Sequence, residues 1–163
     1  VEELDRVYDK DGIVVRRSVM EDVDYLKDRL RQSDVDEVWA SGHHAPYEAL
    51  RKSFDESIFS LTIVNGNPIG MFGVAPVAMI GARGSVWFLA SDDLEKIGRR
   101  FVKNSRHFID MMLMFRPYLY NFVDDRNAQS IKWLRICGAI IEDPQPYGKD
   151  GLLFRYFYFK RGA

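Results

Sequence analysis

The sequence predicts an α/β fold, and three stretches carry that expectation. Tyr118-Leu119-Tyr120-Asn121-Phe122-Val123 is an aromatic and β-branched run of the kind found in a buried strand. After Asp124-Asp125, Asn127 is placed to cap a helix whose Ile131, Leu134 and Cys137 fall at helical spacing and whose end is set by Gly138. Apolar Ala139-Ile140-Ile141 follows, so the segment reads strand, helix, strand. Upstream, Ser57 to Val64 and Pro68 to Val74 flank Asn65-Gly66, a hairpin signal.

Each element can be justified in order. Val1 to Lys10 is charged and reads as a loose lead-in, and Gly12 to Arg17 as a first strand. Ser18 and Glu21 have capping-box spacing, in which each side chain satisfies the other residue's free amide. Val23, Leu26 and Leu30, flanked by Tyr25, give the ensuing helix one apolar face. Ser33 to Pro46 reads as a connection holding Trp39, Gly42 and His43-His44. Imidazole titrates near neutrality and suits a general base, but no carboxylate partner is identifiable, and a surface loop is the favoured reading. Tyr47 to Phe54 is a second, short helix.

Asn65-Gly66 suits the positive backbone angles of a type I′ turn, and Gly70 and Gly73 mark a bulge or a close backbone approach. Ser85 to Ala90 is the expected central strand. Ser91-Asp92-Asp93 caps the longest helix, about Asp93 to Phe115. Its apolar face is Leu94, Ile97, Phe101, Phe108 and Met112, with a basic stripe of Lys96, Arg99, Arg100, Lys103 and Arg106 beside it. Pro117 forbids further helix. Asp143 to Gly151 is a Pro/Gly-rich loop before a last aromatic strand, Leu152 to Lys160.

Asn127, Ser130, Trp133, Leu134 and Gly138 together resemble the pattern that closes the core of GNAT acetyltransferases. The first strand, the Arg17-Ser18 turn and a helix with Asp22 in its first turn resemble the opening of that fold. The likeness covers about Gly12 to Arg161. It is closer still to a phage-encoded branch, the internal core protein A-like family of short-tailed phages. That likeness rests on Trp87-Phe88-Leu89, Ser91-Asp92, Phe101, Ser105-Arg106, Tyr120-Asn121-Phe122-Val123, Asn127, Ser130-Ile131-Lys132-Trp133-Leu134, Gly138 and Pro146-Tyr147-Gly148. The resemblance implies one domain over residues 1–163, with its core at about 12–161. Its centre would be a mixed sheet with helices on both faces. It also implies an acyl-CoA cofactor, acetyl-CoA or another, and an amine acceptor chosen by the region between the first strand and the hairpin.

In that family, amides at the start of the long helix hold the cofactor pyrophosphate, because free amides and the helix dipole favour an anion. The corresponding Glu95-Lys96-Ile97-Gly98-Arg99-Arg100 keeps only Gly98 of the usual small-residue pattern, and a cap at Ser91 or Asp92 places Gly98 inside the helix. The cradle is degenerate, although basic side chains could replace it. The cofactor-binding residues the resemblance implies are Leu89, Ala90, Ser91, Gly98, Arg99, Arg100, Asn127 and Ser130. The family's usual acid, a tyrosine seven residues after the capping Asn, is here Leu134. Asp92 and Asp124 are base candidates near strand ends, and Tyr120, with Tyr118 or Tyr147 as alternatives, is an acid candidate.

Two function classes follow. One is an acyl-CoA-dependent N-acyltransferase with an unknown acceptor. The other is a catalytically silent phage assembly or internal-core protein acting through contacts with phage structural proteins. A net charge of −1 makes nucleic acid an unfavoured partner, and three histidines with one cysteine make a metal site unlikely on composition. No run reaches the roughly 20 apolar residues of a membrane span. The lone Cys137 suits a reducing compartment, and the expected location is a bacterial host cytoplasm or the virion.

Overall fold

Nine strands form one sheet among residues 6–162, the part of the chain that the computed structural model describes. In chain order the elements are β1 (Arg6–Lys10), β2 (Ile13–Arg17), α1 (Met20–Leu26), α2 (Gln32–Gly42), α3 (Pro46–Glu56), β3 (Phe59–Asn65) and β4 (Asn67–Pro76). They continue as β5 (Arg83–Ala90), α4 (Leu94–Phe115), β6 (Tyr118–Asp124), α5 (Ala128–Ile136), β7 (Ile140–Ile141), β8 (Gln145–Tyr147) and β9 (Leu152–Lys160). The strand order is β1-β2-β3-β4-β5-β6-β9-β7, with β8 also on β9. The β5–β6 pair is parallel and the others are antiparallel, so the sheet is mixed.

Strand alternation sends side chains to two cores. Ile97, Phe101, Phe108 and Met112 of α4 and Ile131 and Leu134 of α5 pack on Val86 and Phe72 on one face. Val23, Leu26 and Leu50 of α1 and α3 pack on Met71 and Leu89 on the other. Asp22 ties α1 to the sheet, since its carboxylate accepts from both Arg16 terminal nitrogens at 2.8 Å and from Thr62 Oγ1 at 2.7 Å.

Several local expectations are corrected. Arg6–Lys10 is an edge strand rather than lead-in, held by backbone pairing that needs no apolar pattern, while residues 1–5 lie outside the described residues. The turn with two positive φ angles is Asp11-Gly12 (56° and 77°), between paired Lys10 and Ile13. At Asn65-Gly66 only Gly66 has positive φ, and a register shift after Ile63 takes up the difference. Gly73 is the close approach, because a Cβ there would lie 2.6 Å from the Phe59 carbonyl oxygen. The helix expected through Leu30 ends at Leu26, and its capping carboxylate is Asp22, which accepts from the Val19 amide at 2.9 Å. Gln145–Tyr147, expected as loop, pairs with β9.

The correction with the largest consequence is α2. Residues 32–42, expected as part of a connection, are helical, and His43 in the left-handed region (φ 56°) ends the helix. Few apolar residues of α2 are buried, which hides its period. Polar contacts hold it instead, and they lead to the site.

Candidate functional site

Strands β5 and β6 pair only over Arg83–Ser85 and Tyr118–Tyr120, and then diverge, although β5 runs on to Ala90 and β6 to Asp124. Asn121 Nδ2 donates to the Val86 carbonyl at 2.6 Å at the fork. Beyond it, the gap opens onto both faces of the sheet. On the α4/α5 side is a groove of about 490 Å³, floored by Phe88, Leu94, Phe101 and Trp133 and bordered by Gly98, Arg99, Lys103, Ser130 and Lys132. On the α2/α3 side is a cavity of about 270 Å³ lined by Glu37, His44, Lys52, Trp87, Leu134 and Tyr147, among others. Phe88, Ser130 and Trp133 line both, so groove and cavity share these three residues as walls.

The α2 helix finishes the ends of both strands. Asp34 Oδ2 accepts from the Ala90 amide at 2.8 Å, and the Arg31 amide donates to the Ala90 carbonyl at 2.8 Å. Three residues on, along the same helix face, Glu37 Oε1 accepts from the Asp124 amide at 2.6 Å. Asp34 is buried and paired with buried Arg31 at 2.8 Å. Burial pushes the Asp34 carboxyl up, and the charge and hydrogen bonds of Arg31 offset this only in part. Burial also pushes Glu37 up from an ordinary 4.5 to about 7, reinforced by the nearby charges of Asp34 and Asp124. Alternation along β5 leaves the Phe88 amide and carbonyl on the edge facing the gap, between Val86 and Ala90, which have partners.

The proposed cofactor residues separate into two groups. Gly98, Arg99 and Ser130 line the groove. Arg100, one residue further along α4, turns away and donates to the Asp11 carbonyl at 2.6 Å on the far side. Leu89 faces the α1/α3 core and the cavity, and Ala90 and Ser91 are buried with their amides engaged by Asp34 and by the Ile69 carbonyl. Gly98 lies within α4, whose first-turn amides at Leu94, Glu95 and Lys96 already donate to the carbonyls of Ser91, Asp92 and Asp93. Neither Ser91 nor Asp93 caps α4 through its side chain.

Asn127 begins α5, and its Oδ1 accepts from the Ser130 amide at 3.2 Å. Its Nδ2 is buried and faces the Glu37 carboxylate, although the pair does not reach full hydrogen-bond geometry. The free β5 edge at Phe88 and the cations Arg99, Lys103 and Lys132 fit an acyl-CoA held by side chains rather than by a backbone phosphate cradle.

The catalytic candidates are less well placed. Asp92 is exposed and lines neither space. Asp124 is committed to Arg126 at 2.6 Å; burial would raise its pKa, but Arg126 outweighs that and holds it below the ordinary value. Tyr120 lines neither space; it lies on the Phe122 face of β6, in an aromatic row with Tyr118 and Tyr156 and near Tyr147, which does line the cavity. His43 does have a carboxylate partner, Asp150 at 2.6 Å, but it serves there as the α2 terminator and stacks on Trp39. Cys137 is a core residue whose thiol burial pushes up to about 11. Among the described residues, no group of His, Cys, Asp or Glu converges to hold a metal, and no helix is long and apolar enough to cross a membrane.

The residues that were missed are Arg31, Asp34 and Glu37. Their signal was present as charges three apart, but it has meaning only once residues 32–42 are known to be a helix.

Comparison with known proteins places this geometry. No curated protein sequence matches the chain. A family model described as "Bacteriophage T7, probable scaffold protein Gp13" matches residues 69–144, just under half of the chain. Among solved structures, a spermidine N-acetyltransferase from Vibrio cholerae in complex with CoA and spermine superposes with a TM-score of 0.65 at 11% identity, covering 93% of this chain and 97% of that one. A ribosomal-protein-S5-alanine acetyltransferase from Vibrio fischeri gives 0.63 at 13%, covering 96% and 97%. An acetyltransferase from Agrobacterium tumefaciens gives 0.65 at 15%, covering 91% of each. Likeness at such low identity speaks for architecture, and the architecture is that of the GNAT acetyltransferases.

Proposed function

We propose that the protein is an acyl-CoA-dependent N-acyltransferase, folded as one domain, that takes an amine as acceptor. The observation that carries this reading is the fork of β5 and β6, with a groove on its α4/α5 side and a cavity on its α2 side that share Phe88, Ser130 and Trp133 as walls. Arg99, Lys103 and Lys132 would hold the cofactor's phosphates, the Phe88 edge its amide-bearing arm, and the cavity the acceptor. The cofactor supplies an activated thioester. The chain's part is to align it, exclude water and accept a proton.

A second reading is supported by the partial match to the phage scaffold family and by the closed first turn of α4. In it the protein is a member of the internal core protein A-like branch, acting through contacts with phage structural proteins in the host cell or the virion. Calorimetric titration with acetyl-CoA separates the two. The acyltransferase reading expects micromolar binding that Arg99→Ala/Lys103→Ala weakens. Absence of binding at millimolar ligand overturns it in favour of the second.

A further inference from the structure

Three carboxylates stand at the diverging ends of β5 and β6, and only one of them has no cation within ion-pair distance among the described residues. Asp34 is held by Arg31, and Asp124 by Arg126. Glu37 accepts from the Asp124 amide at Oε1, and the Asn127 side chain stands beside its carboxylate as a second donor that favours the charged form. It lines the α2-side cavity, which shares Phe88, Ser130 and Trp133 with the groove. No lysine or arginine of the described residues lies within ion-pair distance of Glu37, so this carboxylate faces the cavity with hydrogen-bond donors but no paired cation. Leu134 fills the neighbouring wall with a side chain that cannot transfer a proton.

Resting on the acyltransferase reading, we propose that Glu37 is the catalytic proton acceptor for a neutral primary amine seated in the α2-side cavity. The amine lone pair forms the C–N bond at the thioester carbonyl, and the C–S bond breaks with its electron pair leaving on sulfur. The surplus N–H proton passes to the Glu37 carboxylate, and solvent water supplies the proton that the departing sulfur takes up. The groups facing Glu37 are Asp34 and, through it, Arg31 on the α2 side. Asp124 and Arg126 face it from the end of β6 and Asn127 from the start of α5, while His44 and Lys52 line the same cavity. Two fixed negative charges and burial keep Glu37 basic near neutral pH, as a proton acceptor requires.

The test uses acetyl-CoA with spermidine and, separately, with an Nα-blocked lysine as probe amines, following release of free thiol across pH. Glu37→Gln keeps an oxygen to accept from the Asp124 amide, and thermal melting checks that it folds. The expected result is a loss of about 100-fold in kcat with loss of the acidic limb of the profile near neutrality, while calorimetric affinity for acetyl-CoA is kept. In parallel, carbon-13 NMR of the side-chain carboxyls should show one signal, absent in Glu37→Gln, that titrates near neutral pH and shifts when spermidine is added. Wild-type rate or an unchanged limb in Glu37→Gln overturns the proposal, as does loss of the limb in His44→Gln instead. A Glu37 signal indifferent to amine, or a wild type that binds acetyl-CoA and acetylates neither probe, also overturns it. Failure of the wild type to bind acetyl-CoA removes the acyltransferase reading itself and is recognised separately by calorimetry.

Discussion

Strands β5 and β6 share three residues of ladder and then part, and the two mouths of their gap are finished differently. On the α4/α5 side, the mouth is an open groove with an aromatic floor and a rim of cations that have no carboxylate partner within ion-pair distance among the described residues. On the α2 side, the strand ends are closed by the chain's own carboxylates, and Asp34 and Glu37 take the amides of Ala90 and Asp124. The contrast separates binding from fold maintenance. An amide already satisfied internally offers a ligand little, because any new bond there only exchanges for an old one. Ligand recognition is left to the groove side chains and the Phe88 edge.

Mutations can break each half of this contrast. The largest effect is expected from Asp34→Ala, which strands the buried Arg31 guanidinium and uncaps the Ala90 amide. It should cost about 3–5 kcal/mol of stability by denaturant unfolding. A loss near 1 kcal/mol would show that α2 does not hold the gap. Next is Arg99→Ala/Lys103→Ala, which removes two groove cations and should weaken acetyl-CoA binding by about 100-fold with stability little changed.

The pH dependence of Glu37 comes third. With a folded value near 7 against 4.5 when unfolded, the folded state holds the extra proton between those values. Stability should therefore fall as pH rises from about 4.5 to about 7 and level off above, by on the order of 3 kcal/mol. Glu37→Gln should flatten that slope, and an equal slope in the variant would assign it elsewhere. Asp124, held low by Arg126, acts in the opposite sense and below this window. The smallest effect is expected from Arg100→Ala. Although adjacent to Arg99, it should leave acetyl-CoA affinity within about 0.5 kcal/mol of wild type, since its guanidinium is tied to Asp11.

Much of the architecture was legible before the structure, and the exceptions share a cause. The period of α4 announces a buried face because its apolar residues repeat at 3.6 residues, and β6 is legible from its aromatic and β-branched run. Asn127 and Gly138 mark the ends of α5 by local chemistry alone, and Asn127 does cap it through Oδ1. Such features depend on neighbours in sequence. The α2 helix buries few apolar residues, so it has no strong period to read, and its anchors are backbone amides 56 and 87 residues away.

The site divides along the same line. Sequence determined that residues near 98–103 of the long helix are basic and that the family's usual tyrosine position is leucine, since both depend only on which residue stands where. Only the tertiary structure decided which of two adjacent arginines meets the groove, because successive residues on a helix point about 100° apart and the packing of α4 fixes the rotation. It also decided which carboxylate remains free. Asp34, Glu37 and Asp124 look alike in sequence, and their difference arises from Arg31 and Arg126 standing beside two of them and not the third. Proton affinity is set by burial and nearby charge, which long-range packing brings together.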